Sequence, residues 1–198
     1  MTVSGDDRIA SSLTWRAPAV APPTDRDGAR KRAATALSQG RLYADADSAI
    51  PLYLALLRQS PGDEVAQAGL HRALTALLQS GDEALASADD DIDALRRAHE
   101  IAAVARTTAG GESHVQAYLR RVDLADRLWD LNREAEQDLR AGHLGESGAG
   151  AMAKLRAVLH LRPGQPRALQ GLAAVESGLI RRAEEAAQRG DFADEARW

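Results

Sequence analysis

Residues 40–62 read GRLYADADSAIPLYLALLRQSPG, and residues 142–164 read GHLGESGAGAMAKLRAVLHLRPG. Each stretch begins with a glycine suited to the turn after a helix, continues into an apolar run and ends with a Pro-Gly pair. The two align without a gap at an offset of 102 residues, and the alignment extends from Gly69-Leu70 onto Gly171-Leu172. Identical turn residues at one offset indicate an internal repeat. The sequence therefore predicts an internally repeated structure.

The apolar residues of the first stretch follow the period of an α-helix. Ile50, Tyr53, Leu54 and Leu57 lie on one helix face, and Ser48 is a suitable N-cap. Alanine supplies about a fifth of the chain and aromatic residues only 4%, a composition that favours helices over strands. No segment alternates with period two, so the predicted fold class is all-α. The predicted helices begin near residues 28, 48, 63, 91, 113, 151 and 166, and the last ends near residue 189.

The N-terminal segment, residues 1–26, is predicted to be a flexible tail. Pro18, Pro22 and Pro23 disfavour helix there, and no helical periodicity is present. Trp15 is the residue of this segment with a large apolar surface. Two interpretations stay open: Trp15 docks on the protein's own first helix or stays loose, or it anchors another protein. Residues 28–198 are predicted to form one helical repeat domain.

Composition excludes several classes of function. The net charge is −4 with acidic and basic residues interspersed, whereas a nucleic-acid surface needs clustered Lys and Arg. The absence of cysteine excludes disulfides, thiolate metal sites and Cys nucleophiles. No apolar run approaches the ~18 residues that cross a bilayer. The chain is predicted to be soluble, without a membrane-spanning segment, and its composition fits the cytoplasm and the periplasm alike.

Three features resemble chemical sites in composition only. The segment Gly145–Gly150, GESGAG, lacks the preceding strand and the Lys of a phosphate-binding loop, and Ala149 stands where a nucleophile elbow needs Gly. The run Asp89–Asp93 is followed by Ala94 where a calcium loop needs its sixth-position Gly. The histidines show no i, i+4 pair and no HExxH motif. We therefore predict no catalytic residue, no metal site and no cofactor, and we predict that this segment is not an enzyme.

Both copies resemble the tetratricopeptide repeat, a helix pair with a fixed set of turn and packing residues. In that family an Ala opens the second helix, a large apolar residue follows four positions later, and a Pro ends the pair. The turn before Ala49 is about four residues longer than in the family, and the helix after Pro61 is longer by about three turns. The resemblance implies antiparallel helix hairpins stacked into a superhelical solenoid with unusually long helices. The matching residues are Ala49, Tyr53 and Pro61 in the first copy and Ala151, Leu155 and Pro163 in the second.

The resemblance also implies a binding surface. In tetratricopeptide arrays the first helix of each pair lines a concave groove that holds a polypeptide. Some members clamp a C-terminal carboxylate with paired basic residues and Asn, but here Ala34 follows Arg30 at the Asn position, and Glu136 follows Asn132. A partner recognised by polar contacts of mixed sign is therefore expected. The groove positions carried over from the family are Arg30, Asp82, Asn132, Glu136, Arg140, Glu184 and Gln188.

The functional hypothesis is a protein–protein interaction or scaffold module, part of a larger bacterial protein, that binds a protein or peptide ligand along its concave face. A first alternative is a regulatory or substrate-presenting arm of an enzyme whose catalytic domain follows Trp198. The chain is similar in this respect to Ala-rich arrays found beside formylglycine-generating-enzyme-like domains in bacterial proteins. A second alternative is a structural self-assembly spacer.

The C-terminus is expected to leave apolar surface uncovered. Gly190–Ala196 resembles the family's turn into a second helix, but the residues up to Trp198 supply barely one helical turn, which is unstable alone. Repeat arrays need a terminal cap. We therefore expect the natural chain to continue beyond Trp198, or a second copy to pair through the uncapped C-terminal helix. The apolar stripe of that helix comprises Leu169, Leu172, Ala173, Leu179, Ile180 and Ala183.

Overall fold

The computed structural model describes residues 13–145 and 148–189, and in these ranges it contains α-helices and no strand. The predicted all-α fold class is therefore confirmed for these residues, whereas the predicted turn at Gly190–Ala196 lies outside them. Contacts group the chain into two compact units, Met1–Val122 and Asp123–Trp198. No helix in the described ranges has both the length and the apolar character needed to cross a membrane. The helices are α1 (Arg26–Ser38), α2 (Ala49–Gln59), α3 (Glu64–Ser87), α4 (Ile92–Ala109), α5 (Ser113–Ala141), α6 (Ala151–Leu161) and α7 (Pro166–Arg189).

Aspartate side chains cap three of the helices. Asp25 accepts a hydrogen bond from the Gly28 N–H at 3.0 Å, and Asp63 accepts one from the Ala66 N–H at 3.0 Å. Asp91 caps α4 in the same manner. Each cap satisfies an N–H group that has no partner inside its helix. The Asp25 cap starts α1 two residues before the predicted position, and the other two caps confirm the predicted helix starts.

Ser48 stands at the predicted N-terminus of α2, but its side chain does not cap the helix. Its Oγ donates to Asp45 Oδ1 at 2.8 Å and accepts from the Asp45 N–H at 3.1 Å. Ser48 is fully buried, so this exchange stabilises the turn that precedes α2. The predicted capping bond is wrong, because the long turn between α1 and α2 brings Asp45 within reach of the hydroxyl.

The first unit contains α1 to α4 and the first part of α5 around one apolar core. Helices α1 and α2, α2 and α3, and α3 and α4 pack against each other, and Tyr53 and Tyr118 are among the largest buried side chains. Trp15 packs against this core, and its carbonyl accepts a hydrogen bond from Thr107 Oγ1 at 3.1 Å. Trp15 therefore docks on the protein's own chain, with its hydrogen bond to α4.

The second unit contains the remainder of α5 together with α6 and α7. Leu128 of α5, Leu155 of α6 and Val175 of α7 are buried in one apolar core. Helix α6 packs against α7, as α2 packs against α3 in the first unit. The buried residues of α5, α6 and α7 thus face a common core, as is usual for amphipathic helices.

Equivalent residues of the repeat occupy equivalent places in the two units. Helices α2 and α6 begin at Ala49 and Ala151, whose N–H groups donate to carbonyls of the preceding turn at 2.9 and 3.0 Å. Helices α3 and α7 also begin 102 residues apart. Gly40 and Gly142 adopt φ of 70° and 75°, a left-handed conformation that favours glycine. The turn residues noted in the sequence therefore form the same local structure twice.

The second unit has an ion pair at positions where the first unit has buried apolar residues. Lys154 Nζ lies 2.6 Å from Asp138 Oδ2, and it joins α6 to α5. The repeat-equivalent residues of the first unit are Leu52 and Ala36, and both are buried. The same helix crossing is therefore made with different chemistry in the two units.

Candidate functional site

A groove lies between α3 and the first part of α5, inside the first unit. Its cavity volume is about 580 Å³. Leu78, at 8% exposure, and the half-buried Ala117 supply its apolar base. Such an apolar base with a polar rim is the usual arrangement of a binding interface. The polar lining residues are His71, Thr75, Gln79 and Asp82 of α3 and His114 and Arg121 of α5.

Gly81 and Tyr118 set the separation of the two helices. A Cβ atom at Gly81 would lie 2.5 Å from Cζ of Tyr118, so the ring is in direct contact with the α3 backbone. The Tyr118 hydroxyl donates to the Ala98 carbonyl at 3.0 Å, and the ring is fully buried. Burial raises the pKa of Tyr118, so the hydroxyl stays protonated as a donor. Helix α5 is thereby fixed against α3 and α4 beside the groove.

An exposed ion pair lies at one end of the groove. Asp82 Oδ1 is 2.9 Å from Arg121 Nη2, and the two side chains are 45% and 51% exposed. The Arg121 guanidinium also lies 5.6 Å from the centroid of the Tyr118 ring. Exposed ion pairs contribute little to stability. Replacing one partner of this pair by another charged group would therefore cost little free energy.

Two histidines lie at the other end of the groove. The ring centroids of His71 and His114 are 5.8 Å apart, with the rings inclined at 56°. His114 Nε2 is 3.4 Å from Glu112 Oε2. Across residues 13–145 and 148–189, no cluster of three or more side chains suited to hold a metal is present. His71 is exposed and His114 is half-buried at this end of the groove.

A second cavity, of about 400 Å³, continues along α3 toward α2. His71 lines both cavities, and Leu57, Leu70 and Leu74 line the second one. We call the two cavities together the α3 groove. It follows one side of α3 for about four helical turns, from residue 67 to residue 82, a length beyond the reach of a single side chain.

Of the two predicted site residues in the first unit, Asp82 lines the α3 groove and Arg30 does not. Arg30 donates from Nε and Nη2 to Asp63 Oδ2 at 3.0 and 2.8 Å, and the Asp63 side chain is 2% exposed. The Ala66 N–H, and after it the Arg30 guanidinium, hold the pKa of Asp63 below its usual value although burial opposes them. Arg30 thus joins α1 to the start of α3.

The other five predicted site residues belong to the second unit. Asn132 is 1% exposed and donates from Nδ2 to the Leu128 carbonyl at 3.0 Å, so a bound partner does not reach it. Glu136 Oε1 accepts from Arg167 Nε at 2.6 Å, a pair that joins α5 to α7. The remaining three are exposed: Arg140, Glu184 and Gln188.

The lining residues of the α3 groove that are absent from the predicted set include His71, Gln79, His114 and Arg121. Their spacing contains the signal, because α3 contributes positions 71, 75, 78, 79 and 82, which share one helix face. That face adjoins the apolar stripe that includes Leu74, which predicts core packing. Which of these α3 residues lie in the core and which line the groove depends on the position of α5, which the sequence does not show.

No family model, no curated protein and no solved structure matches this chain. The tetratricopeptide resemblance therefore stays a prediction. The functional conclusion rests on the geometry of the described residues.

Proposed function

We propose that this chain is a polypeptide-binding module of the tetratricopeptide kind, which holds a segment of a partner protein in the α3 groove. The proposal rests on one observation: two cavities along α3, which share His71, have leucines in their base and opposite charges and histidines at their rim. Buried apolar groups give such interfaces their affinity, and polar contacts set the register of the bound segment.

The lining residues define the chemistry of the bound segment. One apolar side chain of the partner packs against Leu78 and Ala117, and a second one packs against Leu70. At the end of the groove formed by Asp82 and Arg121, a basic side chain of the partner pairs with Asp82, or an acidic one pairs with Arg121. The favoured ligand is therefore a segment with two apolar residues and at least one charged residue.

The hydrogen bond of Thr75 supports a binding function of this groove over a catalytic one. Nucleophilic catalysis by a hydroxyl needs a neighbouring base that accepts its proton. The Thr75 hydroxyl donates instead to the backbone carbonyl of His71 at 3.0 Å, within its own helix. This bond directs the hydroxyl proton to the backbone of α3, so no neighbouring base accepts that proton to activate the oxygen for attack on a ligand.

The packing of successive helices supports the stacked-hairpin interpretation. Helices α1 and α2, α3 and α4, and α6 and α7 are neighbours in sequence and pack together. A helix hairpin does not bury its apolar face alone, so repeated hairpins stack. We propose that these hairpins form the superhelical solenoid that the resemblance implies.

Site-specific photo-crosslinking tests the proposed function. A photoreactive amino acid replaces Gln79 in the groove, and the matched control carries it at Gln59, an exposed glutamine at the end of α2. In extracts of the source cells, we expect defined polypeptide adducts from position 79 and not from position 59. The substitution Ala117→Glu places a carboxylate in the apolar base of the groove, and it should remove those adducts while the protein keeps its helical circular dichroism signal.

Identical adducts from the two positions would show non-specific capture. Adducts that persist in folded Ala117→Glu would place the partner outside the α3 groove. Either result contradicts the proposed function.

A further inference from the structure

A separate cavity of the first unit lies beside the long turn that joins α1 to α2. Its volume is about 360 Å³, and it shares no lining residue with the α3 groove. Leu52 of α2, which is 5% exposed, supplies its apolar side. We call this cavity the turn crevice. Its polar lining residues are Lys31, Arg32 and Thr35 of α1 and Arg41 and Asp47 of the turn.

The lining of the turn crevice carries an excess of positive charge. Three of the lining residues are cations, Lys31, Arg32 and Arg41, and one is an acid, Asp47. The whole chain has the opposite balance, with 25 basic and 29 acidic residues. Because the cations gather around one small cavity, the local potential attracts anions.

The three cations are not neutralised by the described part of the chain. Neither Lys31, Arg32 nor Arg41 forms an ion pair with a residue of that part. Arg30, their neighbour on α1, instead pairs with Asp27 and Asp63 at 2.9 and 2.8 Å. The cations of the turn crevice therefore bind an anion without first breaking an ion pair to a described residue.

Arg41 is oriented by neutral acceptors. Its Nε donates to Gln39 Oε1 at 3.1 Å, and its Nη1 donates to the Asp47 carbonyl at 3.2 Å. The Arg41 carbonyl accepts from the Ala49 N–H at 2.9 Å, which ties the two ends of the turn together. These bonds hold the guanidinium but leave its charge in place. An oriented side chain loses less entropy when it binds a ligand.

The Thr35 hydroxyl adds a further donor. Helical threonines elsewhere in the chain donate to the carbonyl four residues before them, as Thr75, Thr107 and Thr108 do. The Thr35 hydroxyl makes no hydrogen bond to a described residue. It lies one helical turn after Lys31 on the same side of α1. A hydroxyl among cations suits a ligand with several acceptor oxygens.

The second unit shows that the turn itself does not require these cations. Glu134 and Lys154 stand at the positions equivalent to Arg32 and Leu52. Lys154 Nζ lies 3.7 Å from Glu134 Oε2 and 2.6 Å from Asp138 Oδ2. Ion pairs thus balance these positions in the second unit, whereas the first unit keeps unpaired cations. Packing of the turn does not explain the cations, which favours a binding role.

We propose that the turn crevice binds the phosphate group of a phosphate monoester. The phosphate oxygens accept from the Arg32 and Arg41 guanidinium groups, from Lys31 and from the Thr35 hydroxyl, an arrangement that suits phosphate. In a positive potential a dianion gains about twice the Coulomb energy of a carboxylate. The carbon chain of the ester packs against Leu52.

Two sources share this chemistry: a phosphorylated side chain of a polypeptide and a free small phosphate ester. Amide NMR spectra of the whole chain distinguish them. The probes are inorganic phosphate, O-phosphoserine, a short glycine-flanked phosphoserine peptide and the same peptide without phosphate. Acetate serves as the singly charged control. We expect the three phosphate probes, and neither control, to shift the amides of residues 31–35 and 41–52 in a saturable way.

The relative affinities assign the source. A phosphoserine peptide that binds about tenfold tighter than O-phosphoserine identifies a polypeptide ligand, because the flanking backbone then contributes to binding. Equal affinities identify a free small ester.

Substitutions of arginine locate the site. Arg32→Glu introduces the residue of the second unit, and Arg41→Gln removes the oriented guanidinium. Each should weaken O-phosphoserine binding by about tenfold or more, because each removes a charge-assisted contact. The matched control is Arg58→Gln, an exposed arginine of α2 outside the turn crevice, and it should leave binding unchanged. Since Arg32 makes no hydrogen bond or ion pair to a described residue, Arg32→Glu should keep the helical circular dichroism signal.

Three outcomes would overturn the inference. The first is a set of phosphate-induced shifts spread over exposed cations throughout the chain. The second is an equal response to acetate. The third is equal binding by folded Arg32→Glu and by Arg58→Gln. The α3 groove is tested separately, because Ala117→Glu should leave phosphate binding unchanged and Arg32→Glu should leave the crosslinked adducts unchanged.

Discussion

The ring of Tyr118 fills the space in which a side chain at Gly81 would begin. A Cβ atom there would lie 2.5 Å from Cζ of the ring, and the Tyr118 hydroxyl is held by the Ala98 carbonyl at 3.0 Å. The ring is therefore held in place by the α3 backbone and by the hydrogen bond of its hydroxyl. This contact joins α3 to α5 and fixes the base of the α3 groove.

The first prediction follows from that contact. Gly81→Ala should lower the free energy of unfolding by about 1–3 kcal/mol, the usual effect of overpacking a rigid site. The control is Gly62→Ala, where a Cβ atom meets nothing within 4 Å, and it should change stability by less than about 0.5 kcal/mol. Urea unfolding measures both variants. Equal destabilisation by the two substitutions would contradict the proposed contact.

The second prediction concerns the pH dependence of stability. The Ala66 N–H and the Arg30 guanidinium hold the pKa of Asp63 below its ordinary value of 3.8. The unfolded chain therefore binds this proton more readily, and the stabilising contribution is complete above pH 3.8 and is lost as the pH falls below it.

The variant Asp63→Asn keeps a side-chain oxygen for the Ala66 N–H but loses the charge that pairs with Arg30. Its stability should be lower than that of the wild type at about pH 7 and should fall less steeply toward about pH 3. Urea unfolding at a series of pH values measures both curves. Parallel curves would show that Asp63 does not contribute in this way.

The third prediction concerns two buried amides in the second unit. Asn132 and Gln165 are the repeat counterparts of Arg30 and Asp63, and both are 1% exposed. Asn132 Oδ1 and Gln165 Nε2 have no hydrogen-bond partner in the described structure. The ion pair of the first unit is thus replaced by one unsatisfied acceptor and one unsatisfied donor.

Restoring the ion pair should reveal coupling between these two positions. Asn132→Arg and Gln165→Asp should each destabilise the protein, because each buries a charge without a partner. The double variant should be more stable than the sum of the single effects predicts, by about 0.5–3 kcal/mol. A double-mutant cycle in urea gives this coupling free energy. Strict additivity would mean that the two side chains do not face each other as Arg30 and Asp63 do.

The fourth prediction compares two leucines of the second unit. Leu128 is 1% exposed in the core, whereas Leu169 is 49% exposed on α7. Leu128→Ala should destabilise by about 2–5 kcal/mol through lost burial and a cavity. Leu169→Ala should change stability by less than about 1 kcal/mol. Similar losses in the two variants would mean that the Leu169 side chain is buried as well as that of Leu128.

Local sequence predicted the helices because their ends depend on residues next to them. Asp63 and Asp91 each satisfy an N–H group within the following turn, and Gly40 adopts the left-handed conformation directly after α1. Ser48 is the exception, because its hydroxyl bonds with Asp45 in a turn whose shape the sequence does not reveal.

The surroundings of the predicted site residues could not be read from the sequence, because the exposure of a helix face depends on the helices that pack beside it. Asn132 has the polarity of a surface residue and is nevertheless buried, whereas His71 and Arg121 meet only because α5 crosses α3. Asp82 is the predicted residue that lies in the α3 groove.

Leu78 and Ile180 show what the sequence by itself determined and what the tertiary structure decided. They are 102 residues apart, both aliphatic and both on the apolar stripe of a long helix, so the sequence treats them alike. Their exposure is 8% and 61%. The period of 3.6 residues fixes which side chains share a stripe. Only the packing of other helices decides whether water reaches that stripe, because burial depends on residues distant in the chain.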